Sequence, residues 1–169
     1  MTILALDIDD CIFPSNNSYF GRLDDALDIL KLNMKRIKMM LTKYDMRIFI
    51  TSSWSINLNL INNNLEYNNR HALLEDKAYY NEEAQAFEIL KNTLDGYVIG
   101  LSCGDRYKDI KLLLESGHKV VAFDDMDLSF EMLDVDKSIE INYKFVQLKG
   151  FITNDKTYEI NKFLQDKTK

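Results

Sequence analysis

The chain predicts an α/β fold, a three-layer sandwich with a mainly parallel sheet between helices. Three observations predict it. The run at residues 3–6 is wholly apolar, as in a strand buried on both faces. Strand-like runs then alternate with helical periodicity, which is the βαβ signature of a parallel sheet. Finally, 169 residues with 46% hydrophobic and 28% charged side chains have the composition of one globular domain with a sizeable core.

The first strand runs from Thr2 and ends in three carboxylates, Asp7, Asp9 and Asp10. A two-residue period sends Asp7 and Asp9 to the same side as the strand expires. Pro14, the only proline, breaks the strand, and the residues up to Leu23 read as a short flap. Asp24 or Asp25 is expected to cap a helix whose apolar positions, Leu27, Leu30, Met34, Ile37 and Leu41, recur at three or four; it should end near Tyr44. Residues 46–50 form a second strand, terminating in Thr51-Ser52-Ser53-Trp54. Residues 55–65 are expected to be helical, followed by an asparagine-rich, turn-prone patch at Asn62-Asn63-Asn64 and Asn68-Asn69.

A second amphipathic segment covers 82–94, and a third strand 97–101. A helix over 106–115 is stopped by Ser116-Gly117. Residues 119–123 are a buried-type strand that again ends in acid, Asp124-Asp125. A helix-like piece at 130–133, a strand at 144–148 and a helix at 154–164 complete a Rossmann-like order. There is no internal repeat or linker, so 1–169 is expected to be one domain, with room for a small insertion at about 62–95.

The formal net charge of −6 gives no general attraction to nucleic acid or anionic membrane. No apolar stretch reaches transmembrane length and no signal-peptide pattern opens the chain, so a cytoplasmic protein is expected, with no membrane partner and no stable protein partner inferred. Cys11 and Cys103 are expected to be free thiols.

In open parallel sheets, functional groups gather at the carboxyl ends of strands. Four such ends carry the least ordinary residues: Asp7/Asp9/Asp10, Thr51/Ser52, the 103–108 loop, and Asp124/Asp125. Paired carboxylates repel unless a cation or shared proton intervenes. Mg²⁺ takes oxygen ligands and commonly binds through one or two carboxylates plus phosphate. Converging, these ends would supply a nucleophile, an acid/base, a metal site and groups that stabilise phosphoryl oxygens.

The run Leu4-Ala5-Leu6-Asp7-Ile8-Asp9-Asp10-Cys11 resembles the first motif of the haloacid dehalogenase-like phosphatase superfamily. Phe49-Ile50-Thr51 is similar to its second motif, a lysine near Lys108 suits the third, and Phe123-Asp124-Asp125 resembles the fourth. The segment 51–54 and the tail 146–153 look like the small, nearly capless members found in phages and RNA-repair proteins. The resemblance implies a Mg²⁺-dependent phosphomonoesterase. Asp7 would be the nucleophile forming an aspartyl-phosphate, and Asp9 the general acid/base, its backbone carbonyl joining the metal. Thr51, Ser52 and Lys108 would hold the phosphoryl group, while Asp7, Asp124 and Asp125 would complete the Mg²⁺ site. Asp10 and Cys11 stand where Gly-Thr is commoner. Lys111 lies one turn beyond Lys108 and Lys119 is also near; Lys108 is preferred because it falls at a helix start. The implied substrate is a nucleotide or other phosphorylated small molecule, or a phosphorylated nucleic-acid end.

Singly, each motif has a plainer reading as a turn, cap or solvated charge. Trp54 reads as a base-stacking ring or a core residue. A phosphate-ligand or protein-binding member without turnover, and a phosphotransferase, use the same residues. A response-regulator receiver domain would need its phospho-accepting aspartate after the third strand, where this chain has Ser102-Cys103.

Overall fold

The computed structural model describes residues 1–14, 22–68 and 77–166. The expected flap at 15–21 lies outside them. In chain order the elements are β1 (Thr2–Leu6), α1 (Leu23–Tyr44), β2 (Arg47–Ile50), β3 (Leu58–Ile61), β4 (Asn64–Tyr67), α2 (Lys77–Leu94), β5 (Val98–Leu101), α3 (Arg106–Glu115), β6 (Lys119–Asp124), β7 (Tyr143–Gln147) and α4 (Asn154–Gln165). Short 3₁₀ turns occupy Ser53–Asn57, Phe130–Leu133 and Lys137–Asn142.

Five strands form a sheet in the order β5-β2-β1-β6-β7, with every neighbouring pair parallel. The chain steps outward from β1 through β2 to β5, then returns to the other side of β1. Strand order therefore reverses between β1 and β6, where α/β sheets open a crevice for ligands.

Alternation along the strands supplies both faces of the sheet. Leu4, Leu6, Val121 and Phe123 pack with Leu30, Met34 and Ile37 of α1, Phe87 and Leu90 of α2, and Ile160 of α4. Ala5, Val120 and Ala122 face Ile110 and Leu114 of α3, with Leu128 and Leu133. The result is the expected α/β three-layer arrangement. Helix α2, inside the region set aside for an insertion, contributes fully to the first of these cores.

Two local expectations are corrected. Residues 55–65 do not form one helix: after the 3₁₀ turn that ends at Asn57, β3 and β4 pair as an antiparallel hairpin, with Leu58 opposite Tyr67 and Leu60 opposite Leu65. Asn62 and Asn63 supply its two-residue turn with φ of 51° and 66°, left-handed values that suit a hairpin and that asparagine tolerates. Helix α1 begins at Leu23 without a side-chain cap, and Asp24 and Asp25 lie in its first turn, favourably placed against the helix dipole.

Asn33, wholly buried on α1, ties together the loops that follow β1 and β7. Its Nδ2 donates to the Ile12 carbonyl (2.7 Å) and the Gly150 carbonyl (2.9 Å), and its Oδ1 accepts from the Ile152 N–H (3.0 Å). Gly150 N–H also donates to the Cys11 carbonyl at 2.9 Å.

Candidate active site

Because the strands are parallel, β1, β2, β5 and β6 deliver Asp7, Thr51, Ser102 and Asp124 to one sheet edge. Backbone ladders continue past the strand ends and fix these residues side by side. Asp7 N–H donates to the Phe123 carbonyl (2.9 Å), Thr51 N–H to Leu6 (2.9 Å) and Ser102 N–H to Ile50 (2.8 Å).

The chain turns sharply after Asp7. The Ile8 carbonyl accepts from the N–H groups of Cys11, Ile12 and Phe13. Asp10 holds this loop with φ of 56°, a left-handed conformation that aspartate tolerates. Cys11 is buried beneath it. Burial, then the charges of Asp7 and Asp124, push its thiol well above the usual range, so it fills space as a neutral group.

Asp7, Asp124 and Asp125 converge. One ligand oxygen from each lies within 4.8 Å of the others. Asp7 and Asp124 are buried; Asp125 is half-buried. The Asp7 carboxyl is pushed up to about 8, first by burial and then by the charge of Asp124, with Arg106 opposing. Asp124 is also raised, chiefly by burial, against the Met126 N–H and Arg106. The Asp9 carboxyl is not in this group; it sits half-buried at the head of the loop.

Among the described residues, the cation facing these acids is Arg106. Its Nη1 lies 2.6 Å from Asp124 Oδ2 and 3.6 Å from Asp7 Oδ2. Burial would lower the guanidinium pKa, but the carboxylates outweigh this and hold it above its ordinary value. Lys108 is not brought here: its side chain is 84% exposed, with Nζ 3.7 Å from Asp105. Lys111 donates to the Asp134 carbonyl (2.8 Å) and Lys119 to that of Phe163 (2.8 Å), both away from the cluster. Arg106 is not among the residues expected at this site, although a helix starting at 106 is. It opens α3 behind the Asp105 N-cap, and side chains in the first turn lean back towards the helix N-terminus, here the sheet edge.

Beside the carboxylates lies a cleft of about 390 Å³ whose lining includes Thr51, Ser52, Ser53, Ser102, Gly104 and Arg106. Thr51 is 3% exposed, and its Oγ1 has no hydrogen-bond partner among the described residues. Ser52 Oγ caps the following turn by accepting from the Trp54 N–H at 3.2 Å. Gly104 has φ of 121°, which L side chains rarely adopt, and its N–H donates to Ser102 Oγ (3.1 Å). Trp54 is a core residue, 2% exposed and edge-on to Phe13. A larger groove of about 650 Å³ between α1 and α4 contains none of these groups.

The fold and site define an α/β protein with a parallel sheet and an acid cluster with one arginine at its switch point. No family model, curated protein or solved structure matches the chain. Among the described residues, no helix is long and apolar enough to cross a membrane.

Proposed function

We propose that the protein is a haloacid dehalogenase-like phosphatase, a divalent-cation-dependent phosphomonoesterase acting on a nucleotide or a phosphorylated nucleic-acid end. The observation that carries this reading is the meeting of Asp7 and Asp124 on adjacent strand ends, beside a buried Thr51 hydroxyl that lacks a partner. Two buried carboxylates against one guanidinium form a cluster that needs either a retained proton or a further cation. Three hard oxygen donors within reach of one another fit a small divalent ion, for which Mg²⁺ is proposed. Bound there, the ion would polarise phosphoryl oxygens and lower the cost of ionising its ligands.

Asp7 attacks phosphorus, forming the aspartyl-phosphate as the ester oxygen departs. Asp9 protonates that oxygen and then takes a proton from the water that releases phosphate. Thr51 Oγ1 donates to a phosphoryl oxygen, ending its unpartnered state, and Arg106 takes the charge-offsetting role expected of Lys108.

Asp7→Asn is nearly isosteric and keeps the fold, so it should abolish Mg²⁺-dependent phosphate release from an aryl phosphate and from nucleoside monophosphates. Turnover retained in that variant rejects the assignment of Asp7.

A further inference from the structure

Arg106 pairs with two of the three carboxylates that would hold a metal ion. Asp124 Oδ1 accepts the Met126 N–H (2.9 Å), and Arg106 Nη1 sits on the other oxygen, Oδ2, at 2.6 Å. The same nitrogen is the cation nearest Asp7 Oδ2, at 3.6 Å. A divalent ion binds such oxygens at about 2.1 Å. Two cations sharing those two oxygens would repel strongly in a partly desolvated site. The backbone of Arg106 is anchored, because Asp105 caps α3 by accepting from the Tyr107 and Lys108 N–H groups (3.1 and 3.2 Å). Only its side chain is free to yield. That side chain, 21% exposed, also lines the neighbouring cleft, where it is the one cation among the described residues. The unpartnered, buried Thr51 Oγ1 lines the same cleft.

We propose that Arg106 is the resident counter-cation of the carboxylate cluster and that a divalent ion displaces its guanidinium into the Thr51–Gly104 cleft, where it captures phosphate. The proposal rests on the metal reading of the cluster. It makes metal and phosphate binding mutually reinforcing: each favours the arrangement in which Arg106 has left Asp124. Metal-free protein keeps its arginine on the acids and binds phosphate weakly.

The test is calorimetric titration of the full chain with Mg²⁺ and with inorganic phosphate, without turnover. Arg106→Met removes the competitor and should bind Mg²⁺ about tenfold more tightly than the wild type, within the usual range of coupling between sites. The wild type should bind phosphate about tenfold more tightly with saturating Mg²⁺ than in chelator, and Arg106→Met should lose most of that gain. Arg106→Lys keeps a charge near the acids and provides a folded comparison if the methionine variant fails; its Mg²⁺ affinity should fall between the two. The Arg106 side-chain NMR resonance, assigned with Arg106→Lys, should also shift on adding Mg²⁺ to the wild type. Equal Mg²⁺ affinity in all folded forms, or an unmoved resonance, overturns the exchange and leaves the metal site standing. Failure of every form to bind Mg²⁺ overturns both.

Discussion

Arg106 and Lys108 show how two residues on one helix turn reach opposite fates. At the first position of α3 the side chain lies over the sheet edge and meets Asp124; two residues later it points to solvent and pairs with its own cap. An exposed pair of that kind contributes little, about 0–1 kcal/mol. Lys108→Ala should therefore leave both stability and phosphatase activity within about twofold of wild type, whereas Arg106→Ala should lower kcat/KM by about a hundredfold or more, the scale of losing one preorganised charge donor. Parallel measurement of the two variants decides it, and a larger loss at Lys108 would return the role to the lysine. Thr51 follows the same residue-level logic. Its buried, unpartnered hydroxyl has a desolvation cost without a compensating bond in the metal-free protein. Thr51→Val should accordingly cost little stability while raising KM for phosphomonoesters, readily seen by comparing melting temperature with steady-state kinetics.

Among the elements, α1 does more than cover the sheet. Its buried face includes Asn33, whose amide closes three backbone groups from two loops that bracket the candidate site. Leucine has a similar volume but can bond none of them, and each buried group left unsatisfied costs about 1–3 kcal/mol. Asn33→Leu should destabilise the protein by about 3 kcal/mol or more in urea unfolding, and the post-β1 loop should lose amide-exchange protection. An unchanged midpoint would show that those carbonyls find other partners. The β3–β4 hairpin teaches the converse lesson. It is held by cross-strand pairs of Leu58 with Tyr67 and Leu60 with Leu65 and turned by two asparagines in left-handed backbone.

Across the whole molecule, the acid cluster couples stability to pH and to metal. In the metal-free fold the Asp7 carboxyl titrates at about 8, against about 4 for an unfolded aspartate. Between those values the folded chain holds a proton that the unfolded chain has released. Stability must then fall as pH rises through this window, with no further loss from this group above it. Thermal unfolding in chelator should show Tm declining from pH 5 to 8, with a shallower decline in Asp7→Asn. Saturating Mg²⁺ should flatten the wild-type profile, because the ion competes with the proton for these carboxylates, binds more tightly as pH rises and stabilises the folded form to which it binds. Parallel profiles for wild type and Asp7→Asn would mean that this carboxyl stays ionised when buried.

Periodicity and strand-end chemistry in the sequence alone determined the α/β class, most strand and helix positions, and the residues Asp7, Thr51 and Asp124 that meet at one edge. These were legible because a buried parallel strand must be apolar along its length, so any charge that ends it stands out. Three features were decided by tertiary structure. Asn33 in an apolar stripe looks like any polar interruption until the carbonyls of Ile12 and Gly150 arrive from elsewhere in the chain. The 55–65 segment became a hairpin because pairing between its own halves buries Leu58 and Leu65, a gain that local helical spacing does not register. Arg106 took the acids instead of Lys108 because the choice depends on where α3 begins relative to β6, and that distance exists only once the sheet has formed.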